Sequence, residues 1–351
     1  MRVLVVFSSG DVGGAEISLA RITSANSDKR IEYIYATYGS KGYICEFFEN
    51  LGLNIVSFDH KLINLIKFIH YEKPNIVYII GFRISVYLRF TKFLIPWVKL
   101  IHGVRWNPDS NSKLDKIFRI SERLFSGLID GYITNSKISA ETLKKIGMKN
   151  IQVIHNGVFM QEKFKNKRKT HYKYITTIAN VSKRKGYFEY LNVVDLVIKK
   201  NNKVKFLIIG KDYLGGRLQK EISARGLQNN ISYIGFQRDV SKYLAKSHAF
   251  VLPSMYGEGC PTSILEAYYF SVPVVAYNID GIQELVSNNL DGFLCKKGDY
   301  EEMCDAICRI YDNPKLGHKM GNYGYKKVTT NYTIHKAVEK HNKFFLGLKR
   351  K

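Results

Sequence analysis

Residues 248–254, His-Ala-Phe-Val-Leu-Pro-Ser, lead through Met255 and Tyr256 into residues 257–267, Gly-Glu-Gly-Cys-Pro-Thr-Ser-Ile-Leu-Glu-Ala. The first run has the length and apolar content of a buried strand. The second is a glycine-bearing loop that turns into a helix, so the two together read as one βα unit. The same alternation recurs along the chain. Strand-length apolar runs fall at Arg2–Ser8, Ile31–Thr37, Asn75–Ile80, Val98–Ile101, Gly131–Thr134 and Ile151–Ile154. A second series falls at Tyr174–Ala179, Val204–Ile209, Ile231–Ile234, Ala249–Leu252 and Pro273–Ala276. Amphipathic stretches of helical length separate them, which predicts an α/β fold of two Rossmann-like, doubly wound parallel-sheet domains. Residues 157–170 lose periodicity and fill with cations, as an exposed linker does. The expected division is therefore 1–165 and 166–330, with 331–351 as a terminal helix that can pack back toward the N-terminal domain.

A chain of 351 residues has room for roughly two domains of about 100–200 residues. Its 45% hydrophobic content and seven prolines argue against disorder. Arg2–Phe7 reads as a first strand rather than a secretory leader, and no run approaches the roughly 20 apolar residues of a membrane-spanning helix. The cysteines at 45, 260, 295, 304 and 308 lack disulfide or zinc-ligand spacing. Charge is the unusual quantity: 54 Lys+Arg against 30 Asp+Glu gives +24, which suits nucleic acid, an anionic membrane or a polyanionic acceptor. Residues 83–105 hold five cations, no acid and several aromatics. They read either as an interfacial surface or as a basic outer helix followed by a core strand.

In open parallel sheets, ligands sit beyond the carboxyl ends of strands, and the unusual residues of this chain lie in those loops. Pro261 suits the first position of a helix. The N–H groups of Thr262, Ser263 and Ile264 then point out of the helix start and, with the macrodipole, attract phosphate. Gly257 and Gly259, beside Cys260, let backbone approach a ligand. Glu266 follows Ser263 and Thr262 by three and four residues, so its carboxylate shares their face and suits a pair of ribose hydroxyls. Glu258, in the loop, is free for the sugar end of such a ligand. Lys183, Arg184 and Lys185 follow another strand, where clustered cations neutralise a diphosphate leaving group or merely form solvated surface. Phe236, in Gly235-Phe-Gln-Arg238, reads as a stacking platform for a base or as a core residue. Gly13 and Gly14 open a helix after the first strand, as a ligand loop or an ordinary tight turn. His102, taken to follow the strand Val98–Ile101, reads as a hydrogen-bonding group for a polar substrate or as a satisfied, partly buried histidine.

Taken in order, Gly13-Gly-Ala-Glu16, His102-Gly103, Asn156-Gly157, Lys185-Gly186, the Glu258–Glu266 pair and Asp280-Gly-Ile-Gln-Glu-Leu-Val286 resemble the retaining glycosyltransferases of family 4, with the GT-B fold of two domains facing across a cleft. The resemblance spans essentially the whole chain. It implies that Glu258 contacts the donor sugar, Glu266 the ribose, Lys185 the diphosphate and His102 the sugar near the reaction centre. Gly13 and Gly14 would line the donor phosphates or the acceptor. The family commonly has an arginine where this chain has Asn180, so Lys183 or Arg184 would supply the missing charge. No metal or other cofactor is expected, since amides and Lys185 take the cation's place. The implied partners are a UDP- or GDP-sugar and a lipid-linked or cell-surface polysaccharide acceptor. The enzyme would be cytoplasmic and peripheral on the inner, anionic face of the membrane. Rival readings are a sugar-nucleotide epimerase or phosphorylase on the same fold and, from a different class, a basic nucleic-acid-binding protein. The last leaves the two-glutamate loop unexplained, so no nucleic-acid partner is expected.

Overall fold

A computed structural model describes residues 1–11, 13–109, 112–159 and 174–348. The chain divides into two compact units, Met1–Phe159 with Thr333–Lys351, and Met160–Tyr332. In the first unit the strands are β1 (Arg2–Phe7), β2 (Glu32–Thr37), β3 (Ile55–Ser57), β4 (Ile76–Ile80), β5 (Lys99–Val104), β6 (Gly131–Thr134) and β7 (Ile151–Val153). They form one sheet in the order β3-β2-β1-β4-β5-β6-β7, parallel at every pairing. Successive strand residues point to opposite faces, and in β1 both faces are covered. Val3, Val5 and Phe7 pack with Phe345 and Leu348 of the helix Ile334–Leu348. Leu4 and Val6 pack on the other side with Val77, Ile79 and Leu88. A strand buried on both sides has no polar face to show, and so reads as a continuous apolar run.

The second unit contains β8 (Tyr174–Ile178), β9 (Phe206–Ile209), β10 (Ile231–Tyr233), β11 (Ser247–Leu252), β12 (Val274–Tyr277) and β13 (Gly292–Cys295). Their order is β10-β9-β8-β11-β12-β13, again parallel. Each sheet changes direction of growth once. The change falls between β1 and β4 in the first and between β8 and β11 in the second. At such a point the loops on either side diverge and leave a crevice at the strands' carboxyl ends.

Several sequence expectations need correction. β3 and β13 were not expected. The stretch read as exposed linker begins with Gly157 and Val158, both buried, with Val158 bridged to Thr333. The rest of that stretch, and the expected boundary at 165, lie outside the described residues. β5 runs three residues further than the expected strand, which places His102 inside the sheet. The interfacial reading of residues 83–105 loses most of its cations. Arg89 and Arg105 are buried, Lys92 pairs with Asp130 at 2.7 Å, and Lys99 donates to the Leu348 carbonyl. Only Arg83 of the five is exposed.

Candidate active site

The loops after β8 and β11, on the two sides of the second switch point, are joined to each other. The Met255 N–H donates to the Arg184 carbonyl at 2.8 Å, and Arg184 Nη1 donates to the Gly257 carbonyl at 3.1 Å. Gly186 takes φ +67°, and a Cβ there would overlap the Pro253 carbonyl oxygen, so glycine is required by both conformation and space. Asp280 Oδ2 accepts from the Gly257 N–H at 2.6 Å and the Glu258 N–H at 3.2 Å. The Glu258 carbonyl in turn accepts from the Gly281 N–H at 3.1 Å.

These contacts bring the Lys185 ammonium onto Glu258 Oε1. Both side chains are nearly enclosed, at 11% and 6% exposure. The Ser254 hydroxyl donates to the same oxygen at 2.6 Å, and Arg184 Nη1 stands 3.7 Å from it. Burial alone would raise the Glu258 pKa. Lys185, then Arg184, then the Ser254 hydrogen bond overcome that effect and hold the carboxyl at about 2. Burial lowers the pKa of Lys185, against the pull of Glu258. Lys183 and Arg184 are exposed beside the pair. Lys185 and Arg184 thus converge on one oxygen of Glu258 at the switch point, with Arg184 exposed where it can meet an anion.

The helix that follows spans Thr262–Tyr269. Pro261 is its N-cap rather than its first residue: its ψ of 117° keeps it extended, so the helical register begins one residue later than expected. Ile264, Leu265, Ala267 and Tyr268 are buried, whereas Thr262, Ser263 and Glu266 remain partly exposed on the opposite face. The rotation is fixed from behind. Tyr268 donates to buried Asp291 at 2.6 Å, and Asp291 also accepts from the Ser287 N–H at 2.8 Å and pairs with Lys327. Gly259 and Cys260 are buried in the turn before the helix.

Other expected residues lie elsewhere in the fold. Asn180 ends the strand region of β8, its Oδ1 accepting from the Lys211 N–H at 3.4 Å. Phe236 follows β10 and is 37% exposed, which removes the core alternative. Gly13 and Gly14 belong to the first unit, as N-cap and first residue of the helix Gly14–Ser24 after β1.

His102 does not stand open at a strand end. It is 0% exposed, with Nδ1 3.2 Å from Glu122 Oε1 and 3.2 Å from Arg89 Nη2. Glu122 pairs with Arg89 and accepts from the Tyr132 hydroxyl at 2.6 Å. Burial lowers the His102 pKa against the opposing pull of Glu122, which favours neutral imidazole. Nδ1 is thus held by the Arg89 and Glu122 side chains, while the buried Nε2 has no hydrogen-bond partner among the described residues. The reason for this enclosure is Gly103, which resembles a turn in the sequence but is a strand residue packed on Tyr78 and Ile80.

One group in the first unit was passed over. Arg105, the first residue beyond β5, is 7% exposed and donates to Asn156 Oδ1. Burial raises the Glu16 pKa, with Arg105 pulling against it. Arg105, Asn156 and Glu16 therefore share one region at the carboxyl ends of the first sheet, and two of the three belong to quoted motifs. Among the described residues, no group of three or more His, Cys, Asp or Glu is disposed to hold a metal ion, and no helix is long and apolar enough to cross a membrane.

Comparison with known proteins agrees with this layout. The profile described as glycosyl transferases group 1 matches residues 158–327, and that described as glycosyltransferase family 4 matches residues 12–162. The chain belongs to this glycosyltransferase family. Within it, a capsular polysaccharide biosynthesis glycosyltransferase of Staphylococcus aureus, CapH, is 25% identical over 303 residues, covering 80% of this chain and 82% of its own. An Escherichia coli UDP-Gal:α-D-GlcNAc-diphosphoundecaprenol α-1,3-galactosyltransferase is 31% identical over 144 residues, covering 41% of this chain and 37% of its own. Alignments to two further curated relatives span 50% and 30% of those proteins. The Anabaena protein Alr3699/HepE, solved with UDP and glucose, superposes with a TM-score of 0.85 at 18% identity, covering 99% of this chain and 100% of its own. That likeness establishes the GT-B fold for both units.

Proposed function

We propose that the protein transfers a sugar, with retention of anomeric configuration, from a UDP- or GDP-sugar to a hydroxyl of a lipid-linked or cell-surface polysaccharide. The observation that carries this reading is the Lys185–Glu258 pair at the second switch point, beside the helix start at Thr262. The second unit takes the donor and the first the acceptor, with Gly13 and Gly14 lining the donor phosphates or the acceptor. Glu266 holds the ribose hydroxyls, Phe236 stacks on the base, and Glu258 faces the sugar. Lys185, with Lys183 and Arg184 in place of the charge that Asn180 lacks, and the N–H groups of Thr262 and Ser263 hold the diphosphate.

In the reaction the bond from C1 to the diphosphate oxygen breaks and the acceptor oxygen bonds to C1 on the same face. The acceptor's proton passes to the departing phosphate oxygen. The protein supplies position and charge, with no metal ion required. Two relatives support the acceptor class by their names, one assigned to capsular polysaccharide and one to a diphosphoundecaprenol-linked sugar. Such an acceptor places the enzyme in the cytoplasm, against the anionic inner face of the membrane. A thermal-shift screen across sugar nucleotides tests the reading. One or more UDP- or GDP-sugars raise the melting temperature and Glu258→Ala abolishes turnover, whereas wild-type binding and turnover in Glu258→Ala would refute the assignment.

A further inference from the structure

The helix Lys113–Phe125 of the first unit buries Phe118 in the core yet also carries an apolar stripe on its outward face. Its inward face carries its two acids: Glu122 is tied to Arg89, His102 and Tyr132, and buried Asp115 accepts from Trp106 Nε1 at 3.2 Å. Its outward face carries Leu114, Ile117, Ile120 and Leu124, at 58%, 46%, 60% and 68% exposure. A helix stripe of this spacing ordinarily faces the core. Here the buried ion network holds the rotation that turns it to solvent, because rolling the helix over would strand Arg89 and Glu122 without each other. Lys113, Lys116 and Arg123 are the exposed charges of the helix, and all are positive.

The apolar surface continues at the helix's C-terminal end. Phe90 meets Phe125 edge-on at 4.9 Å between ring centroids. The turn after Phe90 exposes Phe93 at 75%, Leu94 at 42% and Trp97 at 46%. At the turn Lys92 is paired with Asp130, but on the helix the exposed charges are all positive. An apolar stripe flanked by cations, with aromatics at its edge, has the composition of a helix lying in a bilayer interface.

We propose that this face, the outward side of Lys113–Phe125 with the Phe90–Trp97 turn, docks flat on an anionic lipid bilayer and holds the enzyme at the surface where a lipid-linked acceptor resides. The proposal rests on the acceptor class given above for its purpose, and on the surface itself for its chemistry. The apolar stripe enters the headgroup region while Lys113, Lys116 and Arg123 meet lipid phosphates.

Flotation with vesicles of phosphatidylcholine and phosphatidylglycerol tests it. The wild-type protein should float with mixed vesicles, bind pure phosphatidylcholine far more weakly, and detach as salt rises. Ile120→Ser/Leu124→Ser should raise the lipid concentration for half-binding roughly tenfold or more. Because both side chains are exposed, its melting temperature should stay at the wild-type value. Lys113→Gln/Lys116→Gln/Arg123→Gln should flatten the salt dependence, and Trp97 emission should shift to the blue on binding. Unchanged flotation of the Ile120/Leu124 variant overturns the proposal. So does a wild-type dimer that this variant converts to monomer without any lipid binding, which would assign the face to a second copy. Donor binding separates the two readings: the surface variants keep their thermal shift with a sugar nucleotide, and Glu258→Ala keeps its flotation.

Discussion

Replacing Glu258 by Gln leaves the shape of the carboxyl but removes the charge that the buried Lys185 ammonium faces. The size of the loss follows from the site. Holding the carboxyl at about 2 instead of its ordinary 4.5 corresponds to roughly 3 kcal/mol of preference for the charged form in the folded protein. Burial of Lys185 opposes the pairing and offsets part of it, so the expected destabilisation is about 2–3 kcal/mol. In a unit of this size that lowers the melting temperature by roughly 5–10 °C. Adding Lys185→Met removes the stranded ammonium, and the double variant should be more stable than the sum of the single losses implies. Acid adds a second test. A carboxyl whose folded pKa is depressed contributes stability above its unfolded pKa and loses it as pH falls through the folded value. The gap between wild type and Glu258→Gln should therefore be full above pH 4.5 and close as pH falls toward about 2. Urea unfolding followed by circular dichroism across this range, with scanning calorimetry at neutral pH, measures both. A Glu258→Gln protein melting within a degree of wild type, or strictly additive single and double losses, would refute the reasoning.

Glu266→Ala should weaken sugar-nucleotide binding roughly 10- to 100-fold, the loss of hydrogen bonds to a charged acceptor, and do so for UDP alone or GDP alone as for the intact donor. Titration calorimetry checks it, and an effect confined to the sugar-bearing ligand would reverse the roles of Glu266 and Glu258. Gly186→Ala should destabilise by more than about 1 kcal/mol, because a Cβ meets the Pro253 carbonyl at a positive φ; wild-type stability would show that the two loops part easily. Glu122→Gln should cost about 3–5 kcal/mol by stranding Arg89. His102→Ala should lower the melting temperature yet leave the donor affinity of the folded protein unchanged, whereas a fall in kcat at wild-type stability would return His102 to the reaction centre. Turnover should survive EDTA; abolition followed by rescue with a divalent ion contradicts the metal-free reading.

Why some of this was legible and some was not is a matter of distance along the chain. The first parallel sheet shows in the sequence because β1 and β4 are covered on two faces and read as nearly unbroken apolar runs; the second shows through shorter runs such as Phe206–Ile209 and Ala249–Leu252. β3 escaped notice because Ile55–Ser57 is only three residues at a sheet edge. β13 begins on a glycine, Gly292, which in sequence looks like the tail of a turn. The loop from Gly257 to Glu266 was readable because its chemistry is local: a cap, a helix start and a carboxylate one turn on. Lys185 and Glu258, 73 residues apart, announce no partner, and their meeting depends on the neighbourhood of β8 and β11.

The same distinction explains His102 and the helix Lys113–Phe125 together. Periodicity shows that a helix has an apolar side, but not which way that side turns. Here the decision lies with Arg89, His102 and Glu122, which come from a helix, a strand and another helix and meet with no solvent access. The ion network needs the inward face, so the apolar stripe is left outside. This makes the two features one testable unit. Releasing the network by replacing Arg89 and Glu122 with a well-packed apolar pair should weaken flotation on anionic vesicles if the helix turns its stripe inward. If the helix keeps its rotation by loop constraint alone, flotation should persist. Flotation of such a variant, measured beside its melting temperature, separates a network that sets the membrane-facing surface from one that only fills the core beneath it.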